Sequence, residues 1–217
     1  MDKEQIISKT AEYVKGYFKG ESTGHDWWHT YRVWRTSQHI GQLEQKVDMF
    51  IVEMAALLHD VDDFKITGEH SDEKKNAMAW MTECSVDAEY QNSIVGIIQN
   101  MSYTDNIHGR KELSLEGQVV QDADRLDALG AIGIARCFAY GGKKGKPLHD
   151  PDTKPDEEMT SEKYISSVGT SVNHFYEKLL LLKELMNTDA GRKVAEGRHK
   201  FMEQYLEQFY KEWEGKD

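Results

Sequence analysis

Phe50-Ile51-Val52-Glu53-Met54-Ala55-Ala56-Leu57-Leu58-His59-Asp60 is the stretch on which the reading of this chain turns. Ile51, Ala55 and Leu58 recur at helical spacing, and His59 continues the row from Ile51 and Ala55. The stretch predicts a helix over about residues 48–60 that carries an imidazole and a carboxylate at its inward edge. Two ordinary outcomes are open to such a doublet. Either it is hydrogen-bonded and structural, or both groups meet a metal ion. Taken alone, the doublet favours the structural outcome; the rest of the chain reverses that order.

Around this helix, 217 residues suffice for one well-filled core, and a single domain over 1–217 is expected. Prolines number three, two of them in one short segment as Pro151 and Pro155. Long stretches of Glu, Lys, Gln, Leu, Ala and Met on either side point to an all-α protein. A formal charge of −11 argues against a generic binder of nucleic-acid polymers, which needs a basic face. Cys84 and Cys137 lack metal-ligand spacing, and Cys137 reads as a small buried apolar residue among Ile134, Ala135 and Phe138. No signal-peptide core and no membrane-length apolar run is present, so a cytoplasmic, soluble protein without membrane contact is expected.

Further helices are predicted over 3–18, 26–44, 71–83, 87–100, 116–127 and 128–140. Residues 61–69 break the periodicity directly after the doublet, and binding groups are often carried on such loops. Residues 141–160, beginning Gly141-Gly142-Lys143-Lys144-Gly145-Lys146, read as a long irregular loop, either a functional lid or a solvated segment. Two long helices, near 161–186 and 188–213, are expected to finish the chain.

Two other segments carry ionisable groups at helical spacing. His25-Asp26-Trp27-Trp28-His29-Thr30-Tyr31-Arg32-Val33 places His25 and His29 four apart, a spacing that suits a shared metal or a cap plus a packed ring. In Gln121-Asp122-Ala123-Asp124-Arg125-Leu126-Asp127, Asp124 and Asp127 share a face with Val120, which favours Asp124 over Asp122 as the inward residue. Carboxylates on an inward face invite a cation, because an unpaired buried charge is costly.

The ordered set His29, His59-Asp60 and Asp124 resembles the HD-domain metal-dependent phosphohydrolases. The likeness extends to Ala56-Leu57-Leu58-His59-Asp60-Val61-Asp62-Asp63-Phe64-Lys65, to Asp122-Ala123-Asp124-Arg125-Leu126-Asp127-Ala128-Leu129-Gly130 and to Asn173-His174-Phe175-Tyr176-Glu177-Lys178. These look like a small freestanding bacterial subgroup of predicted hydrolases, and the resemblance spans nearly the whole chain. It implies an HD-type helical bundle in which His29, His59, Asp60 and Asp124 ligate one divalent metal. Two imidazoles and two carboxylates suit Mn, Fe, Ni, Co or Zn, with Mg a further candidate. Asp60 could bridge toward a second metal.

Neighbours of this set supply the remaining candidates. Asp63 is a general-base candidate, and Asp127 could orient the water or a ligand, or pair with an arginine. Arg32, Lys65 and Lys178 are candidate phosphate contacts. His25 reads as a helix-start or supporting residue, His108 as a group at the pocket mouth, and Trp27 and Trp28 as core and pocket wall. The function implied is hydrolysis of a small phosphate ester or anhydride, a nucleotide foremost, with a homodimer left open. Two alternatives stand beside it. One is a metal-binding regulatory module without turnover. The other is an HD-type diiron oxygenase drawing on His25, His108, His149 and His174.

Overall fold

A computed structural model of the protein describes all residues except 21–25, 69–72, 102–111, 157–168 and 217, together with the side chain of Lys65. Among the described residues every regular element is helical, as the composition predicts, and none is long and apolar enough to cross a membrane. Two compact units result, Met1–Ala123 and Asp124–Asp217.

The first unit is organised by one helix. Helix α1 covers Lys3–Tyr17, α2 Trp27–Leu43 and α3 Met49–Leu58. Phe50, Val52, Met54, Ala55, Ala56, Leu57 and Leu58 of α3 are all buried. The inward stripe expected from Ile51, Ala55 and Leu58 is therefore too narrow. A helix apolar around its circumference is enclosed on every side, and α3 packs against α1, α2 and α6, which covers Ala88–Asn100. Each fully buried Leu or Phe contributes roughly 1.5–3 kcal/mol, an upper bound that ignores burial in the unfolded chain. Glu53, the one charge on α3, accepts from Trp34 Nε1 at 2.8 Å and from Gln38 Nε2 at 2.7 Å, which ties α3 to α2.

Aspartates set where these helices begin. Asp26 caps α2 by accepting from the His29 N–H at 2.8 Å, and Asp48 caps α3 by accepting from Phe50 N–H at 2.9 Å. Helix α3 stops at Leu58, two residues short of the predicted end, and His59 is its C-cap. Residues 61–69 are not one loop, since a single helical turn, α4, spans Phe64–Thr67.

Helix α5, Lys75–Glu83, begins later than predicted because Lys74 adopts a left-handed conformation and offers no side-chain cap. Asp62 takes over that task from a distance. Its two carboxylate oxygens accept from Asn76 N–H at 2.9 Å and Ala77 N–H at 3.0 Å. Trp80 of α5 stacks on Tyr13 of α1 with ring centroids 4.0 Å apart, and its Nε1 donates to Thr10 Oγ1 at 2.8 Å. Helix α7, Leu115–Asp127, begins in the first unit, where Glu116 accepts from Asp48 N–H, and ends in the second.

In the second unit α8 spans Gly130–Lys143, further along the chain than predicted. The lysine-rich segment expected as loop is in part the end of this helix. Lys146 N–H reaches Gly141 O at 2.9 Å while Gly145 N–H reaches Gly142 O at 3.1 Å, with Gly145 at φ 68°. That is the Schellman pattern, and glycine is favoured at the left-handed position. Gly141 has a separate reason, since a Cβ there would sit 2.1 Å from Ser171 Oγ.

The long helix expected near 161–186 is absent over its described part. Residues 169–172 are not helical, α9 covers only Asn173–Glu177, and a 3-10 helix covers Leu179–Leu185. Lys178, at φ −144° and ψ −57°, separates them. Leu179 and Leu182 are the buried members of the leucine run, three apart, which is the period of a 3-10 turn. The last helix, α10, runs over Asp189–Trp213 and packs on α8 and the 3-10 helix.

Replacing Asp62 by Ala should cost about 1–2 kcal/mol of stability in guanidinium unfolding, as for lost helix caps. Asp62→Asn should lose less, because one acceptor oxygen remains; equal losses would remove the cap explanation.

Candidate metal centre

Three predicted ligands meet within the first unit. His29 is the third residue of α2 because Asp26 starts the helix two residues earlier. His59 and Asp60 follow α3, and all three side chains are buried. His29 Nε2 and His59 Nε2 lie 3.3 Å apart, and Asp60 Oδ2 is 3.4 Å from the first and 3.3 Å from the second. The three donor atoms form a nearly equilateral triangle.

The tautomer of His59 follows from its other nitrogen. Nδ1 is 2.8 Å from Ala56 O, and a carbonyl can only accept, so Nδ1 carries the proton and donates. Nε2 then presents its lone pair to the triangle, the arrangement typical of a ligating histidine fixed by a backbone carbonyl. Metal–ligand bonds of about 2.1 Å at tetrahedral or octahedral angles put adjacent donors about 3.0–3.4 Å apart. The residues therefore fit a divalent cation in chemistry and in spacing. Two imidazoles and a carboxylate supply mixed N/O ligation, which suits transition metals over calcium.

Asp124 opens the second unit, half-buried on α7. Asp122, which the spacing placed second, is the more buried of the two, because α7 is enclosed around most of its circumference. Asp63 stands immediately before α4, half-buried, with its N–H on Asp60 O at 3.0 Å. Its own carbonyl accepts from Ile66 and Thr67 N–H, which starts α4. Arg32 lies one turn beyond His29 on α2 and is half-buried. Lys65 is within α4, and its side chain falls outside the described residues.

Within the second unit Asp127 pairs with Arg136 at 3.2 Å, the arginine partner the sequence left open. Arg198 also feels Asp127: burial lowers the guanidinium's proton affinity and the carboxylate opposes that shift. Lys178 is half-buried at the break after α9.

Among the extra histidines, His25 and His108 lie outside the described residues. His149 is edge-on to Trp213, Tyr210 and Phe209, with centroids 4.9, 5.4 and 6.0 Å away. That aromatic nest suits a packed ring. Trp28 is 60% exposed and so is not core, while Trp27 is half-buried. Both cysteines are free thiols. Cys137, half-buried rather than fully buried, is pushed up to about 12 by burial, against the pull of Lys146.

Sequence reasoning missed Asp62 and Arg136. Asp62 caps a helix 14 and 15 residues away, a relation no local pattern carries. Arg136 is one of many basic residues on helices until the fold pairs it with Asp127.

The sequence pattern of the HD domain matches residues 27–129. Bacillus subtilis YpgQ is 41% identical over 206 residues, which cover 94% of this chain and 92% of that protein. The crystal structure of YpgQ in complex with ADP superposes with a TM-score of 0.77 and 36% identity, covering 98% of this chain and 97% of that one. An HD-superfamily hydrolase from Bacillus thuringiensis superposes with a TM-score of 0.79 and 43% identity, covering 98% and 99%. A Lactobacillus plantarum protein reaches 0.85 with 38% identity, covering 99% and 100%.

His59→Ala should weaken Mn²⁺ binding by about 100-fold or more in calorimetric titration, beyond the loss typical of a supporting residue. Unchanged affinity would remove His59 from the ligand set.

Proposed function

The chain belongs to the HD-superfamily hydrolases, and from that premise we propose that it is a metal-dependent phosphohydrolase acting on a small phosphate ester or anhydride, a nucleotide foremost. The observation that carries this reading is the buried triangle of His29 Nε2, His59 Nε2 and Asp60 Oδ2, with sides of 3.3–3.4 Å. The ADP bound to YpgQ favours a nucleotide over other phosphorylated ligands.

In this reading His29, His59, Asp60 and Asp124 hold one divalent cation. Asp124 is carried by the helix whose first turn accepts from Asp48 N–H, at the start of the helix that leads to His59. The cation supplies Lewis-acid polarisation of a phosphoryl oxygen and a water of lowered pKa. Ala56 O keeps the His59 proton on Nδ1, so the ligating lone pair is always presented to the site. Asp63, one turn after Asp60, is the group that accepts the proton of the attacking water. A carboxylate in that role adds about 10²–10⁴ to the rate.

Asp127 acts as a positioning residue, held by Arg136. Arg32, Lys65 and Lys178 bind phosphate oxygens, and their charge counters that of the substrate.

Phosphate release from a panel of nucleotides and small phosphoesters tests the proposal, using metal-stripped protein restored with Mn²⁺, Co²⁺, Ni²⁺, Fe²⁺ or Mg²⁺. Metal-dependent turnover is expected, vanishing in Asp60→Ala. In Asp63→Asn, kcat should fall by about 10²-fold or more with metal still bound. Stoichiometric metal with no turnover on any substrate would instead mark a binding module.

A further inference from the structure

The turn that joins Asp60 to Asp63 is gripped from two helices at one atom. Val61 is fully buried, and its carbonyl oxygen lies 3.1 Å from the Tyr17 hydroxyl and 3.2 Å from Asn76 Nδ2. A carbonyl only accepts, so both groups donate, and both lone pairs of that oxygen are engaged. Tyr17 is the last residue of α1, and Asn76 is the second residue of α5.

Asn76 holds the turn twice. Its side-chain amide donates to Val61 O, and its main-chain N–H donates to Asp62 Oδ1 at 2.9 Å. The main chain of the turn is bonded as well. Val61 N–H reaches Leu58 O at 3.3 Å, and Asp63 N–H reaches Asp60 O at 3.0 Å. Both peptide units that follow Asp60 therefore have their orientation set, and the Asp60 side chain leaves a backbone with little freedom to rotate.

Packing of α1 on α5 has its own contacts. Trp80 of α5 stacks on Tyr13 of α1 with centroids 4.0 Å apart and donates from Nε1 to Thr10 Oγ1 at 2.8 Å. That contact joins the two helices directly. The Tyr17 and Asn76 bonds meet instead on a third segment, between two carboxylates assigned to the metal centre. The Tyr17 ring lies against Tyr13 and Phe18, with centroids 5.9 and 5.4 Å away, so its seat does not depend on the hydroxyl.

We infer that Tyr17 and Asn76 are positioning residues of the metal centre. By fixing the Val61 carbonyl they hold the Asp60 carboxylate in the triangle with His29 and His59, and they set the place of Asp63. Donors held at ligand spacing before the cation arrives bind it more tightly than donors that must first be ordered. The part that concerns Asp63 rests on the phosphohydrolase reading; the hold on Asp60 rests on the metal site alone.

The test is calorimetric titration of Mn²⁺ into metal-stripped full-length protein, run beside guanidinium unfolding. Tyr17→Phe and Asn76→Ala should each weaken Mn²⁺ binding about tenfold, the lower end of the loss when a supporting partner of a metal ligand is removed. Thr10→Val deletes the Trp80 hydrogen bond between α1 and α5 and is the matched control. It should lower the unfolding midpoint, as Tyr17→Phe does, yet leave Mn²⁺ affinity unchanged. At saturating Mn²⁺, kcat of Tyr17→Phe should stay about tenfold below wild type with KM unchanged, because Asp63 shifts with the turn.

An equal loss of affinity in Thr10→Val and Tyr17→Phe would reduce the bonds on Val61 to ordinary packing and overturn the proposal. Wild-type affinity in both Tyr17→Phe and Asn76→Ala would do the same. The two readings fail separately. Metal-dependent turnover with wild-type affinity and kcat in Tyr17→Phe removes the positioning role and keeps the reaction. Mn²⁺ affinity that depends on Tyr17 and Asn76, in a protein that turns over no phosphorylated substrate, keeps the positioning role and removes the reaction.

Discussion

Desolvation of three polar groups at the end of an otherwise apolar helix is the constraint on which the first unit depends. His29, His59 and Asp60 are buried with their donor atoms 3.3–3.4 Å apart. Removing a carboxylate from water carries a penalty on the order of several kcal/mol, and placing imidazole lone pairs against it adds repulsion. The Ala56 carbonyl holds one His59 proton on Nδ1, which leaves Nε2 facing the triangle. A divalent cation satisfies two lone pairs and a carboxylate together. The apolar wall of α3 then serves the site as well as the core, because it keeps competing water away from those donors.

The location of the triangle follows from where helices are allowed to start. Asp26 and Asp48 cap α2 and α3, and the lengths that follow put His29 in a first turn and His59 at a C-terminus. The acidic run after α3 divides its labour by geometry. Asp60 faces the imidazoles, Asp62 spends both oxygens on two backbone N–H groups of α5, and Asp63 begins α4. Identical residues within four positions therefore do unlike things, Asp60 and Asp62 through their carboxylates and Asp63 through its main-chain carbonyl. Their roles are set by which groups each one can reach.

This explains how much the sequence discloses. The all-helical class was legible because long stretches of Glu, Lys, Gln, Leu, Ala and Met are broken by only three prolines. The triangle was legible because His29 and the His59-Asp60 doublet recur in a family order. Helix ends were less so. A left-handed Lys74 delays α5, and the leucine run at 179–182 follows a period of three rather than 3.6. Gly141 to Lys146 looks flexible by composition, yet its glycines serve a helix cap and a close approach to Ser171. Composition reports conformational freedom in the unfolded chain, whereas the fold decides which glycine uses it. Trp28 misled for a related reason: its size suggests core, but its place on α2 leaves it exposed.

Net charge misleads in a similar way if it is taken as the sign of a site. A formal charge of −11 describes the whole surface, and at physiological ionic strength a charge farther than about 8 Å is largely screened. A nucleic-acid polymer contacts enough surface to feel the total, which is repulsive. A small phosphate feels only the groups it touches. A negative total is therefore an argument against a long polyanion and carries none against a short one.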